Sequence, residues 1–234
     1  MMIERNLDLN NRIEDVRPQQ TVVQPVQFEL RDIKAHFDES LNAIKNQYAV
    51  ADSLMAEGKV EDCKNIWRSQ VVFIEGILDF YLHEMSKYGL YKMFKGEWSK
   101  SEQYKSLQIP ILKVEEGIAA AESKEWFFEY LNDRFSRDVF LSDESMRKQL
   151  NLIGIEFGKA MSIAFPKDTM NKSDREGAYI VRELFKRRNA IAHQIDRDHA
   201  SAQQNDITKE YVEECASQVT AIVEAVHSIA VDKG

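Results

Sequence analysis

Glycine and proline are scarce, 9 and 4 among 234 residues, and a many-stranded sheet needs more turn residues than that. The shortage points to helices. Cysteine is scarcer still. Cys63 and Cys215 stand far apart inside helical-looking runs, with no CxxC and no Cys/His spacing that suggests zinc, so they read as reduced core thiols of a cytoplasmic protein. Long apolar runs are missing as well. The most apolar stretch, VVFIEGILDFYL, is broken by Glu75 and Asp79, and the opening MMIERNLDLNNRIEDVRPQQ lacks the apolar segment of a signal peptide, so neither membrane spanning nor secretion is expected. Positive charge is in deficit, with a net charge of -8 and a pI near 5.3. That argues against a general DNA coater, which gains affinity by covering phosphates with Lys and Arg, but leaves room for a local basic patch. There is no Gly-rich phosphate loop and no Ser/His/Asp order, so the familiar nucleotide-binding and hydrolase motifs give no footing.

What is present is apolar mass: 44% hydrophobic residues, 10% of the chain aromatic, enough to bury a sizeable core in one large domain. The period of that mass is helical. From Val26 to Ala56, Phe28, Leu30, Ile33, Phe37, Leu41, Ile44, Tyr48 and Leu54 recur mostly at three- and four-residue steps, predicting one long amphipathic helix that Gly58 ends. A second is predicted from about Val60 to Tyr88, with Cys63, Trp67, Val71, Ile74, Leu78, Tyr81 and Met85 on one stripe, the two forming an antiparallel hairpin. The segment YKMFKGEWSKSEQYKSLQIPILKVEEG carries Pro110 inside its only strand-like run and reads as irregular connection with short helical pieces.

Shorter helices follow in KEWFFEYLNDRF and in SDESMRKQLNLIGIEFGKAM, the latter with Ser142 as candidate N-cap. Ser173 and Glu176 have capping-box spacing and predict a helix start at about Asp174, and a last helix is expected from about Thr208 to Val231. The expected architecture is all-α: a helical bundle built on the hairpin, an extended or disordered arm over 1–25, one domain over 26–234, and a candidate insertion at about 95–140.

The chemistry concentrates in FKRRNAIAHQ, Phe185 to Gln194. On a continuous helix, at about 100° per residue, Arg182, Lys186, Asn189 and His193 share one polar stripe, so that Asn189 can orient His193. Arg188 aligns instead with Val181, Leu184 and Ala192 and points toward the packed interior, where it needs an anion. Glu75 is the internal candidate and a substrate phosphate the other. Arg188 and His193 are five residues apart, about 140° on an ideal helix, so one small target is reached by both only if the helix distorts or two copies contribute.

The run Arg188-Asn189-Ala190-Ile191-Ala192-His193 resembles the Rx4-6H motif of HEPN domains (higher eukaryotes and prokaryotes nucleotide-binding), including a polar residue directly after the arginine. The resemblance covers about 175–200 and is supported by the order of the helices around it; Arg187 to His193 also satisfies the longer spacing. It implies a stand-alone bacterial or phage-related protein of toxin or defence type. Such a protein is a homodimeric, metal-independent ribonuclease without cofactors, acting on RNA, with an antitoxin or another defence-system protein as a further partner. Under it His193 is the acid/base, Arg188 the phosphate stabiliser or helix anchor and Asn189 the orienting residue, with Lys186, Arg187 and Arg182 supplying positive field for RNA. Glu75 supports Arg188.

Other readings stand beside it. Lys186 to Arg188 also suit a helix C-terminus as cations favoured by the helix dipole, and the same fold without chemistry would be a dimerisation or partner-binding module. Glu75, Asp79 and His83 at i, i+4, i+8 could line up as metal ligands, although a charged stripe is the simpler reading. Glu224 and His227 match ExxH of di-iron bundles but no second copy is present. No metal site is therefore expected.

Overall fold

The computed structural model describes residues 26–120 and 123–233, so the arm expected over 1–25 lies outside the described residues. The fold is all-α: helices follow one another along the chain, and the one β-type pairing among the described residues is an isolated bridge between Arg197 and Gln204.

The first helix, α1 (Leu30–Asn46), buries Ile33, Phe37, Leu41 and Ile44, one face of a 3.6-residue period. It does not continue unbroken to Ala56. Gln47 interrupts it and α2 (Tyr48–Ala56) follows, burying only Ala51. The apolar period runs across this break, which is why the sequence reads as one helix. Gly58 then turns the chain in the left-handed region (φ 75°) while Lys59 N–H donates back to the Leu54 carbonyl at 2.9 Å, a Schellman-type end that a Cβ would disfavour.

The central element is α3 (Val60–Lys95), 36 residues long and about 54 Å from end to end. Helices α1, α2, α6, α7, α9 and α10 all contact it. Its buried side includes Trp67, Val71, Ile74, Leu78, Tyr81 and Met85, and burial continues through Leu90, Tyr91 and Met93, so the helix runs past the expected end at Tyr88. The middle of the chain forms α4 (Glu102–Lys105), α5 (Ile111–Ala119) and α6 (Glu125–Phe135). Pro110 sits just before α5 rather than in a strand. Phe127 of α6 stacks on Phe94 of α3 at 4.3 Å, and Phe128 meets Tyr91 edge-on at 5.6 Å, pairs each worth about 0.5–1.5 kcal/mol beyond area burial. Part of the region expected as an insertion is thereby tied to the core.

Ser142 caps α7 (Asp143–Leu152) reciprocally with Ser145. The run expected as a single helix breaks after Leu152 and resumes as α8 (Phe157–Ala164). The motif helix, α9 (Met170–Gln194), starts four residues before the expected Asp174, because Thr169 is the cap and accepts from Lys172 N–H. Ser173 is buried and its hydroxyl instead accepts from Lys167 N–H at 2.9 Å. Finally α10 (Lys209–Val231), capped by Thr208, buries Val212, Cys215, Val219, Ile222 and Val226 against α3 and α8.

Candidate functional site

The last turns of α9 carry the motif, and they are regular: the helix runs unbroken through Gln194 before Ile195 (φ 51°) and Asp196 (φ 59°) turn it in the left-handed region. Val181, Leu184 and Ile191 are buried on the core side. Arg188, between Leu184 and Ile191, is half-buried, while Ala192 is exposed. The Arg188 Nε is buried without a partner, and its Nη1 donates to the Asn189 Oδ1 at 2.9 Å. Asn189 is therefore engaged by Arg188 rather than orienting His193, which is exposed to solvent. One end of the proposed pair faces inward and the other outward.

Glu75, in the middle of α3, is 1% exposed and its Oε1 has no partner. Burial pushes its carboxyl up to about 8, against the pull of Arg188 and with a further push from Asp79. Arg188 is thus the cation that acts on Glu75, but among the described residues no ion pair joins them. The expected buried pair is replaced by two neighbours held short of contact. Such a burial-raised carboxyl is largely neutral at pH 7, a state in which the missing pair costs less than it would for a carboxylate.

Arg187, the neighbouring cation, is committed elsewhere. Its Nη2 lies 2.7 Å from Asp196 Oδ2 and donates to the Asp206 carbonyl at 2.7 Å, with the guanidinium over the Tyr211 ring. Asp196 is wholly buried and also pairs with Arg68 of α3 at 3.3 Å, while Arg68 donates to the Asn205 carbonyl and Asn205 to Asp196. Sequence reasoning missed this cluster. Arg68 is 128 residues from Asp196, and only two successive left-handed residues after α9 swing the carboxylate back beneath it. The acidic stretch after the motif thus neutralises Arg187 internally.

Arg182 pairs with Asp143 of α7 at 2.7 Å, and Lys186 is exposed with Glu183 4.0 Å away. Of the cations expected to attract RNA, Arg187 and Arg182 are therefore largely compensated, and Lys186 is the most open. A groove of about 400 Å³ beside α9 has Lys186, Arg187 and Ala190 in one wall and Tyr211 and Glu214 of α10 in the other. His193 is not in its lining.

The other candidates take structural parts. His83 stacks on Phe140 at 4.2 Å and meets the Asp138 carbonyl at 3.1 Å, and Asp79 accepts from Phe140 N–H, so the α3 ladder secures the segment before α7. Glu224 pairs with Lys34 of α1 at 2.8 Å. Among the described residues no group of three or more His, Cys, Asp or Glu side chains is placed to hold a metal ion, and no described helix is long and apolar enough to cross a membrane. Compared with known protein families, with curated proteins and with solved structures, the chain matches none.

Proposed function

We propose that the protein is a metal-independent endoribonuclease of HEPN type that works as a homodimer in the cytoplasm, in a toxin, abortive-infection or antiviral role with an antitoxin or another defence protein as partner. One observation carries the reading: on an undistorted helix end, a guanidinium with an unpartnered Nε and an exposed imidazole stand about 140° apart. With no helix distortion to bring them together, two copies related by a twofold axis supply the remaining way for His193 and Arg188 to share one cleft. In that cleft His193 would take the proton of the ribose 2′-OH or return one to the leaving 5′-oxygen, and Arg188 would stabilise the phosphate as its charge develops.

The test is incubation of the purified protein with total RNA and transfer RNA in EDTA, beside a DNA strand. The reaction activates the RNA's own hydroxyl, so RNA ends should carry 2′,3′-cyclic phosphate and DNA should survive. Cleavage only after a divalent metal is restored would contradict the reading. A second reading is a HEPN-fold module that dimerises or binds a partner without cleaving, and it is favoured by one observation: Arg187 is paired with Asp196 and Arg182 with Asp143, so two of the three cations expected to attract RNA are compensated within the chain.

A further inference from the structure

Two buried polar atoms, Glu75 Oε1 on α3 and Arg188 Nε on α9, have no partner, an expensive condition for groups that could satisfy each other. We propose that Glu75 and Arg188 form a proton-controlled latch. While Glu75 is protonated, Arg188 rests on Asn189 and is open to a phosphate; when the proton leaves to solvent, the carboxylate draws Arg188 inward and withdraws it. The open position is the one observed, with Arg188 Nη1 on Asn189 Oδ1 at 2.9 Å. In the closed position Arg188 would exchange the Asn189 amide oxygen for the Glu75 carboxylate.

The groups around Glu75 make Arg188 the one that answers. Arg188 approaches from α9, Cys215 from α10, and Asp79 lies one turn along α3. Burial pushes the Cys215 thiol up to about 11, so it stays neutral. Asp79 is held by Phe140 N–H at 2.8 Å and can only oppose ionisation of Glu75. Arg68 and Arg187, the other guanidinium groups nearby in sequence, are bound to Asp196. Burial raises the Glu75 carboxyl from an ordinary 4.5 to about 8, so the folded protein holds this proton where the unfolded chain has lost it. Stability from Glu75 is then fully present below about 4.5 and is lost as pH rises through about 8. Above that value an ionised Glu75 is tolerated only with Arg188 against it.

The consequence for RNA rests on Arg188 binding phosphate, but the latch is measured without RNA. A double-mutant cycle of Glu75→Gln, Arg188→Met and both together, read by urea unfolding, isolates the pair. The unfolding constants should couple by less than about twofold near pH 6 and by about tenfold or more near pH 9.5, either side of the Glu75 titration. Equal coupling at both pH values would overturn the latch. If Arg188→Met does not fold, the carbon-detected Nε–Cζ signal of Arg188 serves in the intact protein. It should move with a midpoint near 8 in the natural sequence and stay still in Glu75→Gln. A signal unmoved in both overturns the proposal, whereas failure to cleave RNA at every pH would sink the ribonuclease reading and leave the latch result standing.

Discussion

At the scale of single residues, two adjacent arginines with the same chemistry have different fates because they leave α9 in different directions. Arg187 lands on the buried Asp196 and Arg188 on the flank of a largely neutral carboxyl. The helical period is enough to place Arg188 on the inward side, but not to reveal whether its anion would be charged, since that depends on how deeply the interior buries Glu75. Likewise the spacing of Asn189 and His193 allows a contact that the nearer guanidinium takes. Asp196 has the larger structural burden, as it compensates both Arg68 and Arg187 at zero exposure. Asp196→Asn keeps the shape and tolerates the left-handed backbone at φ 59° while removing the charge. It should lower stability to urea by about 3–5 kcal/mol, the usual result of stranding a buried charge. A loss below about 1 kcal/mol would mean that the neutral hydrogen bonds of Asn205, rather than charge pairing, hold the end of α9.

At the scale of elements, the position of the site follows from how α9 seats on α8. Gly177 lets the two helices meet: a Cβ there would lie 2.7 Å from the Met161 Cβ, which cannot swing away as a side-chain tip could. Gly177→Ala should therefore cost about 1–3 kcal/mol in thermal or urea unfolding despite the helix preference of alanine. Gly76, on the open side of α3 with nothing within 4 Å, is the control, and Gly76→Ala should stabilise by about 0.5–1 kcal/mol. Equal effects at the two sites would contradict the close seating.

The same elements explain what could be read beforehand. Helix ends with local chemistry were legible: Gly58 after α2, the Ser142 cap of α7 and the start of α10 at about Thr208 each depend on groups within a few residues. Breaks decided by tertiary burial were not. The interruption at Gln47 lies inside an unbroken apolar period, and Ser173 has the right spacing for a cap but is drawn into the interior, where it serves the Lys167 amide instead. The aromatic anchoring of α6 to Tyr91 and Phe94 was equally hidden, because cross-helix stacking has no sequence period.

For the whole molecule, the proposed ribonuclease reading makes one chain half of a shared site. The outward His193 and the inward-facing Arg188 are fixed on a straight helix end, so the proposed chemistry requires a second copy. Light scattering of the purified protein over the micromolar range should give a mass near twice 27.1 kDa. A monomer throughout that range would remove the geometric basis for a shared cleft. Loading with RNA should not be needed for pairing, since the proposed cleft would be built by protein alone.

The most direct measurement is RNA cleavage in EDTA by the natural protein and by His193→Ala, with circular dichroism to verify that both are folded. His193 is exposed, so its truncation leaves the core untouched. The rate should fall by about two to four orders of magnitude in His193→Ala, the ordinary worth of a general acid or base. Equal cleavage by the two folded proteins would contradict it.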